Sequence, residues 1–314
     1  MAQRGAVCTV ICLTDTLNVC VGAEWIKHMS RNMGKKNIAA LTMVRNDSFF
    51  LERWVRYYGE QLGYANLYVY FDGLDQEIPP FCSGLNARSV DRLAGNVAQG
   101  DRLRADFLSA EAARLFSEGY DMVIGTDVDE FLVVDPAVGQ DLICFLSTVS
   151  AGGVSISGLG VDVGQNTACE GPLAEKLPFL SQRRYALLST RYSKSSVLTS
   201  PVEWGSGFHR TRKHNFHIVR NLYLFHFGCV DLARIEAKFS DSERVAEGWS
   251  RHFRKRIKAI TVISRTRRAL KWRAAVRFAR LVQNMIRPPY AWNKPAMFNL
   301  RLVVKIPERF DGLI

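Results

Sequence analysis

The stretch "DMVIGTDVDEFLVVDP", residues 121–136, decides how the chain is read. It sets five carboxylates, Asp121, Asp127, Asp129, Glu130 and Asp135, around short apolar runs. Met122-Val123-Ile124 before the central acids and Phe131-Leu132-Val133-Val134 after them read as a buried strand. Side chains alternate along an extended chain. Asp127 and Asp129 are therefore expected on one side, roughly 6–7 Å apart at about 3.3 Å per residue, with Glu130 on the other side or bracing the turn. Two such carboxylates are poorly stable together unless a cation joins them or one is protonated. A hard divalent ion, Mn²⁺ or Mg²⁺, suits them, because it accepts one or two protein carboxylates, waters and the phosphate oxygens of a substrate. Asp-x-Asp alone is a weak motif, and an acidic surface turn is the plainer alternative. The apolar runs on both sides favour a site.

Working outward, "NIAALTMVRND" (37–47) reads as a buried strand, Ile38 to Val44, ending in polar residues. Leu51, Val55, Tyr58 and Leu62 then recur on one helical face, with Asp47 or Ser48 as its cap and Gly63 as its end. "NLYVYFDG" (66–73) and "NARSVDR" (86–92) read as strands, and 101–118 as a helix. This alternation predicts an α/β fold with a mostly parallel central sheet covered by helices on both faces. Ligands bind such sheets beyond the carboxyl ends of the strands, which gathers Arg45-Asn46-Asp47, Asp72 and Asp127-Val128-Asp129 at one edge. Further on, 141–150 reads as a helix and 152–166 as a strand with Gly-rich ends. Residues 215–228 read as paired strands turning at Arg220-Asn221, and 251–287 as one helical stretch that Pro288-Pro289 ends. Residues 167–202 show no clean period.

The net charge of +12 over 314 residues is concentrated near the C-terminus. From Gly248 to Pro307 there is no Asp or Glu, and 16 Lys/Arg. Such a block attracts an anionic partner, unless it is simply a solvated basic helix. The seven cysteines are odd in number and form no CxxC, which points to reduced thiols in a cytosolic protein. "AVCTVICLTDTLNVCVGA" is too interrupted by polar residues to span a membrane and reads as a strand or a loosely attached extension.

"MVRNDSFFLERWVRYYGEQLG", "LYVYFDGLDQ", "MVIGTDVDEFLVV", "YSKSSVLTSPVEWGSGFHR" and "LYLFHFGCVDLARIEAKF" lie in order over roughly 38–240. With them the chain resembles the GT-A glycosyltransferases, within the family-2-like bacterial group related to the family-92 type, whose members carry Asp-x-Asp-Glu-Phe at a strand end. The resemblance implies a GT-A (nucleotide-diphospho-sugar transferase) domain over 37–245; the N-terminal extension, 1–36, and the basic, mainly helical C-terminal region, 246–314, fall outside it. It implies a donor of the UDP- or GDP-sugar type and a divalent metal. Asp127 and Asp129 would hold metal and diphosphate, and His226 would complete the metal shell. Arg45, Asn46 and Asp47 would lie beside the nucleotide, Asp47 standing where the family has Glu. Asp72 would face base or ribose, Lys194 and Lys238 would neighbour the phosphates, and His209 would sit near the donor. Phe227 and Asp231 stand where the family often has Tyr and Ser.

Each residue has a duller alternative. His226 between two Phe fits a core histidine, Lys194 and Lys238 fit surface lysines, and Asp72 fits a turn cap with Gly73. His209, His214 and His217 have no zinc spacing. The group's inverting transfer implies one carboxylate base for the acceptor hydroxyl. Asp162 is the first candidate, with Glu203 and Glu130 as others.

The expected function is therefore transfer of a sugar to a hydroxyl of a saccharide or lipid-linked saccharide, in surface polysaccharide or lipopolysaccharide synthesis. The expected place is the cytoplasm, with residues 251–287 on the anionic inner membrane face. The alternatives are a nucleic-acid- or membrane-binding protein driven by the basic region, and a metal-dependent nucleotidyltransferase or phosphohydrolase. A specific nucleic-acid partner is not expected, because the acidic strand would repel phosphates.

Overall fold

The computed structural model describes residues 34–93, 97–150, 152–239, 246, 248–296 and 300–314. The reading of 1–36 as an extension falls almost wholly outside these residues. The elements, in chain order, are β1 (Ile38–Val44), α1 (Ser48–Leu62), β2 (Leu67–Asp72), β3 (Asn86–Val90), α2 (Val97–Ser117), β4 (Met122–Gly125), β5 (Glu130–Val134) and α3 (Leu142–Thr148). They continue as β6 (Ser155–Gly164), α4 (Phe179–Gln182), β7 (Tyr185–Leu188), β8 (Val197–Leu198), β9 (Ile218–Cys229), α5 (Leu232–Phe239), α6 (Ser250–Arg265), α7 (Trp272–Met285) and β10 (Val303–Lys305).

The chain is α/β, with a mixed central sheet flanked by helices. β3-β2-β1-β4 are parallel neighbours, and β1 is the point where the chain order reverses. β8 then pairs antiparallel with both β4 and β6. Beyond it, β7 pairs with β6 and β10 with β7, both antiparallel. β9 runs parallel to β6 and antiparallel to β5.

Period-two patterning places the core on both faces of the parallel half. Ile38, Ala40 and Val44 of β1, with Leu67, Val69 and Phe71 of β2, pack with Trp54, Val55 and Tyr58 of α1. Ala39, Leu41 and Met43, with Tyr68 and Tyr70, pack with Leu108, Ala112 and Leu115 of α2.

Two expectations change. Residues 215–228 hold one strand, β9, not a hairpin. Asn221 takes φ 64°, and the β6 register jumps between Ser157↔Ile218 and Leu159↔Tyr223, so Arg220-Asn221 is a bulge. The helical stretch 251–287 is two helices. The chain breaks between them where the Leu270 N–H donates to the Val303 carbonyl at 2.8 Å, drawing the segment to the β10 edge. The C-terminal region also joins the sheet, through β10, and packs on β9 through α6 and α7. Residues 36–314 accordingly cluster as one compact unit.

Candidate active site

A cavity of about 520 Å³ opens beyond the carboxyl ends of β1, β2 and β4. Asp127, Asp129, Glu130, His226, Arg45, Asn46, Asp47, Asp72, Lys194, His209, Lys238 and Asp162 all line it. Glu203 does not. It is exposed and ion-paired with Arg212 at 2.7 Å, apart from the other candidates.

The end of β1 is fixed to the end of β2. Arg45 makes a two-pronged bond to Asp75, 3.0 Å on each prong, and donates to the Asp72 carbonyl at 2.9 Å. Asn46, at φ 51°, takes the left-handed conformation that Asn tolerates. Its N–H donates to the Gln76 side chain at 3.0 Å. Asp47 precedes α1, yet its carboxylate does not cap the helix and lies 2.9 Å from Lys238 Nζ on α5. Asp72 is buried; it accepts from the Leu93 N–H at 2.7 Å and pairs with Arg92. Its side chain is thus committed to the segment after β3.

The acids do not sit on an extended strand. β4 ends at Gly125, and residues 127–130 form a turn closed by the Glu130 N–H on the Asp127 carbonyl at 3.0 Å. The turn swings Glu130 to the same side as the other two, so oxygens of Asp127, Asp129 and Glu130 lie within 4.8 Å of one another. Alternation along a strand fails here because the strand has already ended. Trp54 of α1 anchors the approach, its indole N–H donating to Thr126 at 2.9 Å.

Side-chain cations compensate the acids. Lys194, before β8, places Nζ 3.0 Å from Asp127 and 2.6 Å from Glu130. Asp129 lies 3.1 Å from Arg256 Nη2 on α6 and 3.3 Å from His226 Nε2 on β9. Tolerance of the carboxylates therefore does not by itself require an ion. Burial would raise the pKa of Asp127, but Lys194 and Arg104 together outweigh it and the group is held below its ordinary value. His226 and Arg256 do the same for Asp129, whose pKa falls far below the carboxylate range. For Glu130 burial wins and pushes the pKa up to about 7. Burial lowers His209, with Lys194 nearby, to about 3, so its ring is neutral.

His226 stands between two carboxylates. The sheet register puts it opposite Glu130 on β5 and Asp162 on β6. Nδ1 is 2.7 Å from Asp162 Oδ1, and the Tyr192 ring stacks on the imidazole at 3.7 Å. Burial opposes protonation, but Asp129 and Asp162 prevail and raise the pKa to about 9. Gly228 leaves room for this arrangement: a Cβ there would come within 2.5 Å of His226 Cε1 and 2.7 Å of Arg256 Cζ.

The oxygens of Asp127, Asp129 and Glu130, all within 4.8 Å of one another, are a donor set of the kind a hard divalent ion takes. Asp127 and Asp129 offer oxygens toward the cavity. Asp162 on Nδ1 fixes the tautomer that leaves Nε2 beside Asp129 available once deprotonated, the usual support of a ligating histidine. Glu130, 1% exposed and under Lys194, is the least accessible of the three acids.

Arg256 was not anticipated as a site residue. The available signal was a cation on the apolar stripe of α6, between Phe253 and Ile260, where solvated basic residues do not belong. The chain matches no known family model and no curated protein.

Proposed function

We propose that the chain is a metal-dependent glycosyltransferase of the GT-A kind. It moves a sugar from a UDP- or GDP-sugar to a hydroxyl of a saccharide or lipid-linked saccharide, with inversion, in the synthesis of surface polysaccharide or lipopolysaccharide. The observation that carries this reading is the meeting of the Asp127–Glu130 turn, the Arg45–Asp47 segment and the Asp162–His226 pair around one cavity at a chain-order reversal of a parallel sheet. Such crevices are where nucleotides bind in open α/β sheets. The volume suits a ligand of nucleotide-sugar size.

Asp127, Asp129 and His226 would hold Mn²⁺ or Mg²⁺, which when bound offsets the charge growing on the diphosphate as the sugar–phosphate bond breaks. Lys194 and Arg256, which contact these carboxylates, would add positive charge on the phosphate side of the cavity. Arg45 and Lys238 frame the nucleotide side of the cavity. Asp162 sets the His226 ring through Nδ1 and is a positioning residue in this reading.

A thermal-shift screen of nucleoside diphosphates and nucleotide sugars, with and without Mn²⁺, tests the proposal. The expected result is a metal-dependent rise in melting temperature with one donor, lost in Asp129→Ala, and release of nucleoside diphosphate with the intact sugar transferred. Release of pyrophosphate or inorganic phosphate would replace this reading with nucleotidyl transfer or phosphate hydrolysis.

A further inference from the structure

The basic stretch 251–287 divides into two helices with different surroundings. α6 turns Arg256 onto Asp129, and Lys255 and Lys258 line the cavity wall. α7 takes no part in that cavity. Its inner side carries Trp272, Ala275, Ala279 and Gln283, all buried. Trp272 packs on Tyr223 and Phe225, and Gln283 accepts from the Ser193 hydroxyl at 2.6 Å. The other side carries a second apolar stripe. Ala274, Phe278, Leu281 and Met285 follow one another at i, i+4, i+7 and i+11, on one helical face. Phe278, Leu281 and Met285 are 50%, 55% and 70% exposed.

Just past the helix end Tyr290 and Trp292 are also exposed, at 66% and 47%. Arg287 ties this turn to α7, donating to the Asn284 carbonyl at 2.9 Å and the Trp292 carbonyl at 3.0 Å. Arg273, Arg277 and Arg280 run along the solvent flank of the stripe, in a region without Asp or Glu from Gly248 to Pro307. Scattered exposed apolar residues mean little, but an aliphatic and aromatic stripe flanked by arginines has a specific complement. Apolar groups enter the acyl–headgroup boundary of a bilayer while guanidinium groups stay with lipid phosphates. Nucleic acid would match the arginines and leave Phe278, Leu281 and Met285 in water.

We propose that the outer face of α7, with Tyr290 and Trp292, is a docking surface for an anionic phospholipid bilayer. The contact is interfacial; among the described residues no helix is long and apolar enough to cross a membrane. It goes beyond glycosyl transfer, and it is measured without donor or metal, so failure of one reading leaves the other standing.

The test is co-sedimentation of the full chain with vesicles of equimolar phosphatidylglycerol and phosphatidylcholine, against phosphatidylcholine alone, at low salt. Binding is expected on the anionic vesicles. The exposed triple substitution Phe278→Ser, Leu281→Ser and Met285→Ser lowers the partition coefficient by roughly tenfold or more with an unchanged melting temperature. Arg273→Glu with Arg277→Glu weakens binding and flattens its salt dependence. The proposal is overturned if the wild type stays in the supernatant, or if the triple variant binds as the wild type does. Preference for duplex oligonucleotides over vesicles would overturn it too, as would a dimer that the triple variant loses.

Discussion

Lys194 Nζ lies 2.6 Å from Glu130 Oε1, and the two side chains are only 3% and 1% exposed. Removing the ammonium would take from Asp127 and Glu130 the one cation that contacts both among the described residues. Lys194→Met is therefore expected to destabilise the protein by about 3–5 kcal/mol, the usual cost of breaking a buried pair from one side. Urea unfolding of the metal-free variant measures this. The loss should shrink at acid pH, where Glu130, already raised to about 7, takes up a proton.

His226 gives a second pH dependence. Its folded pKa is raised from 6.5 to about 9, so the folded state holds the proton more tightly than the unfolded chain. The stability this contributes is complete below the unfolded value and is lost as pH rises through the folded one. The unfolding midpoint of the metal-free wild type should fall between about pH 6.5 and pH 9, and His226→Asn should remove that slope. An unchanged slope in the variant would mean that another group carries the proton.

Asp162 and Glu203 are expected to part company. Asp162→Asn leaves the His226 ring without its anionic anchor, and Mn²⁺ affinity should fall by about 10–100-fold. Glu203→Gln removes only an exposed ion pair with Arg212, and both metal affinity and transfer rate should match the wild type. Isothermal titration with Mn²⁺ and a sugar-transfer assay on both variants check the pair.

Gly228→Ala adds a single methyl group where there is no room for it, against His226 and Arg256. Overpacking should cost about 1–3 kcal/mol in stability. Metal-dependent donor binding should suffer more, because both groups displaced act on Asp129. Circular dichroism and thermal shift with donor separate these effects.

Much of this was legible in sequence where local pattern and burial agree. β1 is the apolar run IAALTMV, buried from end to end, and α1 shows its stripe from Leu51 to Leu62. The strand-end polar residues converge as the parallel alternation requires. What escaped was set by distant partners. β7 and β8 have 4 and 2 residues and exist through pairing with β6, β4 and β10. The break after α6 depends on Leu270 meeting Val303. The placement of Glu130 depends on one backbone bond closing a turn, which periodicity does not encode.

The C-terminal region supplies a guanidinium to the cavity, an edge strand to the sheet and an outward helix to the surroundings. It is thus not a detachable module. A chain cut before α6 would lose all three at once, and its defects could not be assigned to any one of them. Point changes on the outer face of α7 are the way to test the proposed anchoring apart from the proposed chemistry.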